Sequence, residues 1–254
     1  MCSRLVRILI FLLLLGAVAA TARQLPAGTV LPVMLNTTLN SVKSKVGDRI
    51  SGKLMQQVEL PSGERIPAGA RVHGIVTAVR SGAAGSPNLL EVRFERLVSG
   101  TTQYALTTKL RALASMLEVF DAQLPVGTFD DYGTSTSDWT TVQIGGAAVY
   151  HGDGTVRHAM DIIGRTTELG EAVGKLQPDA SRGCPPQPEF DARPQALWLF
   201  SPWACGTYGL DDLSIIRDEA AGPADAIALT SVRRIEIRAG SGWLLLTETP
   251  RAQK

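Results

Sequence analysis

The chain has 254 residues, with 25 Gly, 14 Pro and only 6% aromatic residues, a composition that argues against one compact helical bundle. Hydrophobic residues make up 44%, the ordinary globular share, so a sizeable core can form. The 25 basic residues against 24 acidic ones set up no large field, which argues against a nucleic-acid partner.

The first residues read as a targeting segment. Arg4 and Arg7 precede the wholly apolar run Ile8–Leu15, and Gly16–Ala22 turns to small residues ending in Ala20-Thr21-Ala22. A basic start, a short apolar stretch and a small-residue site predict a cleavable secretory signal over residues 1–22. Ile8–Ala20 has thirteen residues, short of the about 20 that a bilayer span needs; an uncleaved anchor is the alternative. No later segment is apolar enough to cross a membrane as a helix. The expectation is therefore an exported chain, periplasmic, envelope-associated or secreted, with no transmembrane span once the signal is removed. Cys2 leaves with that segment. Cys184 and Cys205 remain, an even pair in an exported chain, which predicts one disulfide. Closing a loop of about 20 residues would contribute about 3 kcal/mol on the chain-entropy model. Two unpaired thiols are the alternative.

Residues 25–113 read as strands. Val72, Gly74, Val76 and Ala78 alternate with His73, Ile75, Thr77 and Val79, a period of two. Leu90, Val92 and Phe94 alternate with Glu91, Arg93 and Glu95, the pattern of a half-buried antiparallel strand. Tyr104, Leu106 and Leu110 continue it after the turn-rich Ser99-Gly100-Thr101, so the two runs predict a hairpin. Arg80–Asn88, rich in Gly, Ser and Ala, predicts a loop. Leu25-Pro26-Ala27-Gly28-Thr29-Val30 is echoed forty-one residues on by Ile66-Pro67-Ala68-Gly69-Ala70-Arg71. Both copies predict turns that launch a strand, with proline in the second turn position and glycine in the last. Arg111–Phe120 carries Leu113, Met116, Leu117 and Phe120 at helical spacing and predicts a short helix. Residues 127–222 form a second, irregular module with Cys184, Cys205 and most of the tryptophans. Within it Ala196–Phe200 and Leu213–Arg217 predict short strands. Arg234–Arg238 and Trp243–Thr247 flank Ala239-Gly240-Ser241-Gly242 and predict a hairpin, with residues 226–248 completing the first module. The expected fold is mainly β: an antiparallel barrel or sandwich with an irregular, disulfide-stapled insertion.

Residues 25–110 carry an ordered set of motifs. They run Pro26-Ala27-Gly28-Thr29 with Leu31-Pro32-Val33, Leu35-Asn36-Thr37 with Leu39 and Ser41, Val46-Gly47-Asp48, Ile66-Pro67-Ala68-Gly69, Val72-His73-Gly74, and Leu90-Glu91-Val92-Arg93-Phe94. In this order they resemble the TrbI-type C-terminal β domain, the outer-core scaffold of conjugation and type IV secretion machines. The resemblance implies a β-barrel working as an envelope scaffold, with no cofactor and no catalysis. It spans about a third of the chain and leaves residues 127–222 unmatched. The family's long proline-rich stalk and its membrane-crossing helical pair have no counterpart in the sequence.

Catalytic motifs are missing. There is no Gly-x-Ser-x-Gly elbow, no Ser-x-x-Lys pair and no Asp-Thr/Ser-Gly turn, and Gly52-Lys53 and Gly174-Lys175 each run into Leu and not into the hydroxyl residue of a phosphate loop. A disulfide would consume the two cysteines as nucleophiles. His151 and His158 lie seven apart, on opposite faces if in one strand, which does not suit one metal ion. Asp130, Asp131 and Asp138 lack calcium-loop spacing and read as turn carboxylates. Trp198, Phe200, Trp203 and Tyr208 crowd around Cys205. Trp198, Trp203 and Tyr208 could offer flat faces to a sugar or peptide, whereas core packing is the other reading of the same residues. The leading expectation is a non-catalytic envelope protein whose partners are other envelope proteins or further copies of itself. The runner-up is a module binding cell-wall polymer or glycan through Trp198, Trp203 and Tyr208, and the third is a hydrolase with an unfamiliar site.

Overall fold

The computed structural model describes residues 23–82, 86–123, 149–150, 155–158, 161–166, 172–173, 176, 197–201, 204–216 and 226–250. The predicted signal, Cys184, Trp203, His151, Asp130, Asp131 and Asp138 lie outside them. The strands are β1 (Arg23–Gln24), β2 (Val30–Leu35), β3 (Leu39–Asn40), β4 (Arg49–Leu54), β5 (Val58–Glu59), β6 (Arg65–Ile66), β7 (Arg71–Arg80), β8 (Asn88–Ser99), β9 (Thr102–Ala105) and β10 (Thr108–Ala114). The helix α1 (Met116–Gln123) follows. Then come β11 (Val149–Tyr150), β12 (Thr155–His158), β13 (Asp161–Thr166), β14 (Ala172–Val173), β15 (Gly206–Tyr208), β16 (Leu213–Ile216), β17 (Ile227–Ser231), β18 (Glu236–Ile237) and β19 (Gly242–Thr247).

The chain is mainly β. Its largest sheet runs β1-β9-β8-β7-β4-β2-β19-β10-β15, with β17 added to β8 and β16 to β17. It is mixed and not antiparallel throughout, because β1 pairs parallel with β9 and β10 with β15. It is also an open path and not a closed barrel. Twelve-residue β8 makes the branch: its first half pairs with β17 and its last residues with β9, while β7 runs along its other side. Short ribbons β3–β18 and β5–β6, and a sheet β11-β12-β13-β14, complete the strands among the described residues.

Alternation explains the main core. Leu31, Val33 and Leu35 of β2, Ile50 and Leu54 of β4, and Val72 and Val76 of β7 all turn one way and are buried. On β8 the buried series Leu90, Val92, Phe94 would put the next inward side chain at residue 96, which is Arg. Glu95 is an extra residue there: His73 pairs Arg96 and Gly74 pairs Phe94. This bulge returns Leu97 to the core and leaves Arg96 exposed. Gly74 is needed opposite it, since a Cβ at Gly74 would fall on the Arg93 carbonyl oxygen. Trp243 lies edge-on to Phe94, ring centres 5.5 Å apart, and both are fully buried.

The Pro-Ala-Gly echo proves to be two of four equivalent turns. Thr29 N–H bonds to Pro26 O and Ala70 N–H to Pro67 O, both at 3.3 Å, so proline holds the first turn position and glycine the third. Gly28 and Gly69 have φ of 86° and 84°, the left-handed value that the third position of a type II turn requires. Lys45-Val46-Gly47-Asp48 and Arg238-Ala239-Gly240-Ser241 have the same closing bonds, 3.0 and 3.1 Å, with φ of 90° at Gly47 and 93° at Gly240. Each turn also grips one residue of another strand from both sides. Gly28 N–H donates to Thr247 O while Thr247 N–H donates to Thr29 O. The same reciprocal pair joins Gly47 and Asp48 to Val76, Gly69 and Ala70 to Leu54, and Gly240 and Ser241 to Leu35. The turn before β2 thus grips the end of β19, and the turn before β19 grips the end of β2; β4 and β7 are related in the same way.

Other expectations are revised. β8 and β9 form the expected hairpin, but it ends at Ala105; β10 leaves to pair with β19. Arg111–Ala114 is strand, so the helix begins five residues later than the periodicity suggested, at Met116. Leu113 faces a sheet neighbour there, and its core position satisfies either period. β18 pairs with β3 and not with β19, because the Gly240 turn carries the chain over to Leu35. β19 then lies between β2 and β10.

Candidate functional site

Trp198 and Tyr208, two of the three side chains picked out as ligand platforms, lie in a second core on the outer face of β2, β19 and β10, while Trp203 lies outside the described residues. Leu244, Ala112 and Ala114 point outward from the sheet, and Val119 and Ala122 of α1, Leu199, Phe200, Ala204 and Tyr208 close over them. α1 begins at an N-cap. Ser115 Oγ accepts from the Glu118 backbone N–H at 3.2 Å, satisfying one of the free donors of the first turn. Gly209, with φ of 63°, lies against this cap, where a Cβ would stand 2.6 Å from Glu118 Cγ.

Trp198 is the strained member. Residues 197–200 form a tight reversal and not the expected strand, with Leu197 N–H bonded to Phe200 O at 2.8 Å and Phe200 N–H to Leu197 O at 3.1 Å. Trp198 has φ of 59°, a conformation that costs a bulky residue about 1–2 kcal/mol. Packing offsets this: Trp198 is 1% exposed and meets Phe200 edge-on at 6.3 Å, and its backbone N–H donates to Oε1 of buried Gln56. Leu176 N–H and O bond to Leu199 and Ser201, fastening the reversal to the preceding chain. The Trp198 and Trp243 indole N–H groups have no hydrogen-bond partner among the described residues.

Tyr208 is 6% exposed and stacks edge-on against Phe200 at 6.1 Å. Its hydroxyl accepts from the Cys205 N–H at 3.3 Å. Cys205 itself is buried. Beside it stands Arg111, the extra residue of a bulge in β10, where Leu110 pairs Leu245 and Ala112 pairs Leu244. Its guanidinium donates to Ala204 O at 3.4 Å, and burial lowers its pKa while the neighbouring Tyr208 opposes the shift. This half-buried cation, bonded to the Ala204 carbonyl close to the Tyr208 phenol, braces this face.

The structure therefore brings Trp198, Tyr208 and Cys205 together but turns the two aromatics inward, where neither shows a face to a ligand. Among the described residues no three of His, Cys, Asp and Glu gather as a metal site. His73 faces Arg96 and Ser51 across the sheet; burial, Arg96 and Arg71 hold its pKa below the ordinary histidine value. Sequence reasoning missed the polar knot at the far end of the sheet. There Asn88 Oδ1 accepts from Ser41 Oγ at 3.3 Å and Gly82 N–H at 3.1 Å, and Asn88 Nδ2 donates to Ser231 O and Arg233 O at 3.4 and 2.9 Å. The only sequence signal for it is a turn-forming Asn after Pro87, a weak one. The chain matches no protein-family model, and no curated protein or solved structure shows detectable similarity to it.

Proposed function

We propose that this chain is an exported, non-catalytic envelope protein whose β module serves as a rigid frame for assembly with other envelope proteins or with its own copies. The observation that carries this reading is the set of four reciprocal turns. They fix the pairing of β2 with β19 and of β4 with β7, and two of them, at Gly28 with Thr247 and at Gly240 with Leu35, join the two ends of the chain by main-chain bonds. Such a frame holds its shape and presents its loops in fixed relation to one another. The apolar run Ile8–Ala20 supports export, and the order of motifs in residues 25–110 supports kinship with TrbI-type scaffold domains. A Cys184–Cys205 disulfide belongs to the same reading: it would fasten residues 127–222 to the second core through buried Cys205.

The test is cross-linking in intact cells of the native host, followed by light scattering on the extracted protein. A discrete complex with envelope proteins, or a closed homo-oligomer, is the expected result. A lone monomer in every extract contradicts the proposal.

A further inference from the structure

Three valines stand exposed at the end of the sheet where Asn88 ties its loops together. Val42, Val46 and Val232 are 61, 67 and 81% exposed, and no core position explains any of them. Val42 follows Ser41, and Val232 lies between Ser231 and Arg233; all three neighbours bond to the one Asn88 side chain, so both valines flank the same amide. Val46 occupies the second position of a turn whose three counterparts carry alanine there, Ala27, Ala68 and Ala239. The turn therefore needs no valine. Cations surround them. Lys43 and Lys45 are exposed on the same loop, and Arg80 is exposed next to Ser81, whose hydroxyl donates to Ser41 O at 2.9 Å. Among the described residues none of these three makes an ion pair, although Lys43 lies close enough to Glu236 to help hold its carboxyl below the usual range, whereas Arg233 and Arg234 are paired with Asp212 and Glu236.

From this we infer that the loop end docks on an anionic bilayer surface, a property beyond the assembly role. Three aliphatic tips, two on the loop between β3 and β4 and one on the loop between β17 and β18, can enter the headgroup region while the exposed lysines remain at phosphate level. A protein partner would need about 800 Å² of continuous complementary surface, which isolated tips do not supply. The valines contribute burial and the exposed cations contribute charge complementarity.

The experiment is co-sedimentation of the full chain with vesicles of phosphatidylcholine alone and of phosphatidylcholine with one quarter phosphatidylglycerol. The N-terminal run carries Arg4 and Arg7, which favour the anionic vesicles equally in the parent chain and its variants, so the readout is the change in the anionic excess on substitution. That excess should fall about fivefold for each of Lys43→Gln and Lys45→Gln, drop severalfold in Val42→Ser/Val232→Ser, and vanish in 0.5 M salt. Unchanged thermal midpoints show that the surface variants fold. No anionic excess in the parent chain overturns the inference, as does an excess that the lysine or valine variants leave intact. Capture by an immobilised acidic peptide without any vesicle excess would overturn it in favour of a protein partner.

Discussion

Leu54 and Gly69 are held together by two main-chain hydrogen bonds that run opposite ways around one turn: Gly69 N–H to Leu54 O at 2.8 Å, and Leu54 N–H to the Ala70 O next along the chain at 2.9 Å. The left-handed φ of Gly69 aims its N–H at that carbonyl. Nothing lies within 4 Å of a Cβ placed at Gly69, Gly28 or Gly47, so substitution there carries a conformational cost with no steric one. Gly69→Ala should lower stability by about 1–2 kcal/mol, and Gly28→Ala by a similar amount. Urea titration checks this; equal losses at the two positions support their equivalence.

Gly74→Ala makes the contrast. Its φ is not left-handed, yet its Cβ would collide with backbone of β8, which cannot move aside as a flexible side chain does. The loss should exceed that of Gly69→Ala, about 3 kcal/mol or more on the scale of overpacked cores. A loss smaller than that of Gly69→Ala would show that the bulge at Glu95 shifts freely.

Asn88 satisfies two donors and two carbonyls from three chain segments. Asn88→Ala strands them in a buried setting, at a cost of about 1–3 kcal/mol. Asn88→Asp should also destabilise, because it replaces the Nδ2 donor with a second acceptor facing Ser231 O and Arg233 O. Chemical denaturation of both variants decides it: a neutral Asn88→Asp would mean that the donor bonds contribute little.

His73 titrates below the usual histidine value because burial, then Arg96, then Arg71 disfavour its charged form. Its folded pKa is depressed, so the unfolded chain binds the proton more readily. The associated stability is present above the ordinary value of 6.5 and is lost as pH falls through the folded pKa. Proton NMR of the His73 ring should show this low midpoint, and Arg96→Gln should raise it. A midpoint unmoved by Arg96→Gln would leave the shift to burial and Arg71.

Much of the sheet was legible in the sequence, because half-buried strands announce themselves: Leu90, Val92 and Phe94 needed only a period of two. The Pro-Ala-Gly turns were legible through their glycines. Their equivalence to two sister turns was not, because Lys45-Val46-Gly47-Asp48 and Arg238-Ala239-Gly240-Ser241 lack the proline, and the shared bonds come from other strands. The helix start was misplaced because Leu113 serves a strand facing two cores. Trp198 resisted reading for another reason. Local preference forbids its φ, and only tertiary packing against Phe200 and the bond to Gln56 makes that conformation the stable one.

The interlock is tested most directly by native-state hydrogen exchange at the amides of Leu35, Leu54, Val76 and Thr247, each gripped by one of the four turns. If the turns close one frame, all four amides exchange only through global opening, with the same free energy and the same denaturant dependence. Fast, denaturant-independent exchange at Thr247 and Leu35 beside slow exchange at Leu54 and Val76 would contradict it, and would make the C-terminal strands an attachment to a fold complete without them.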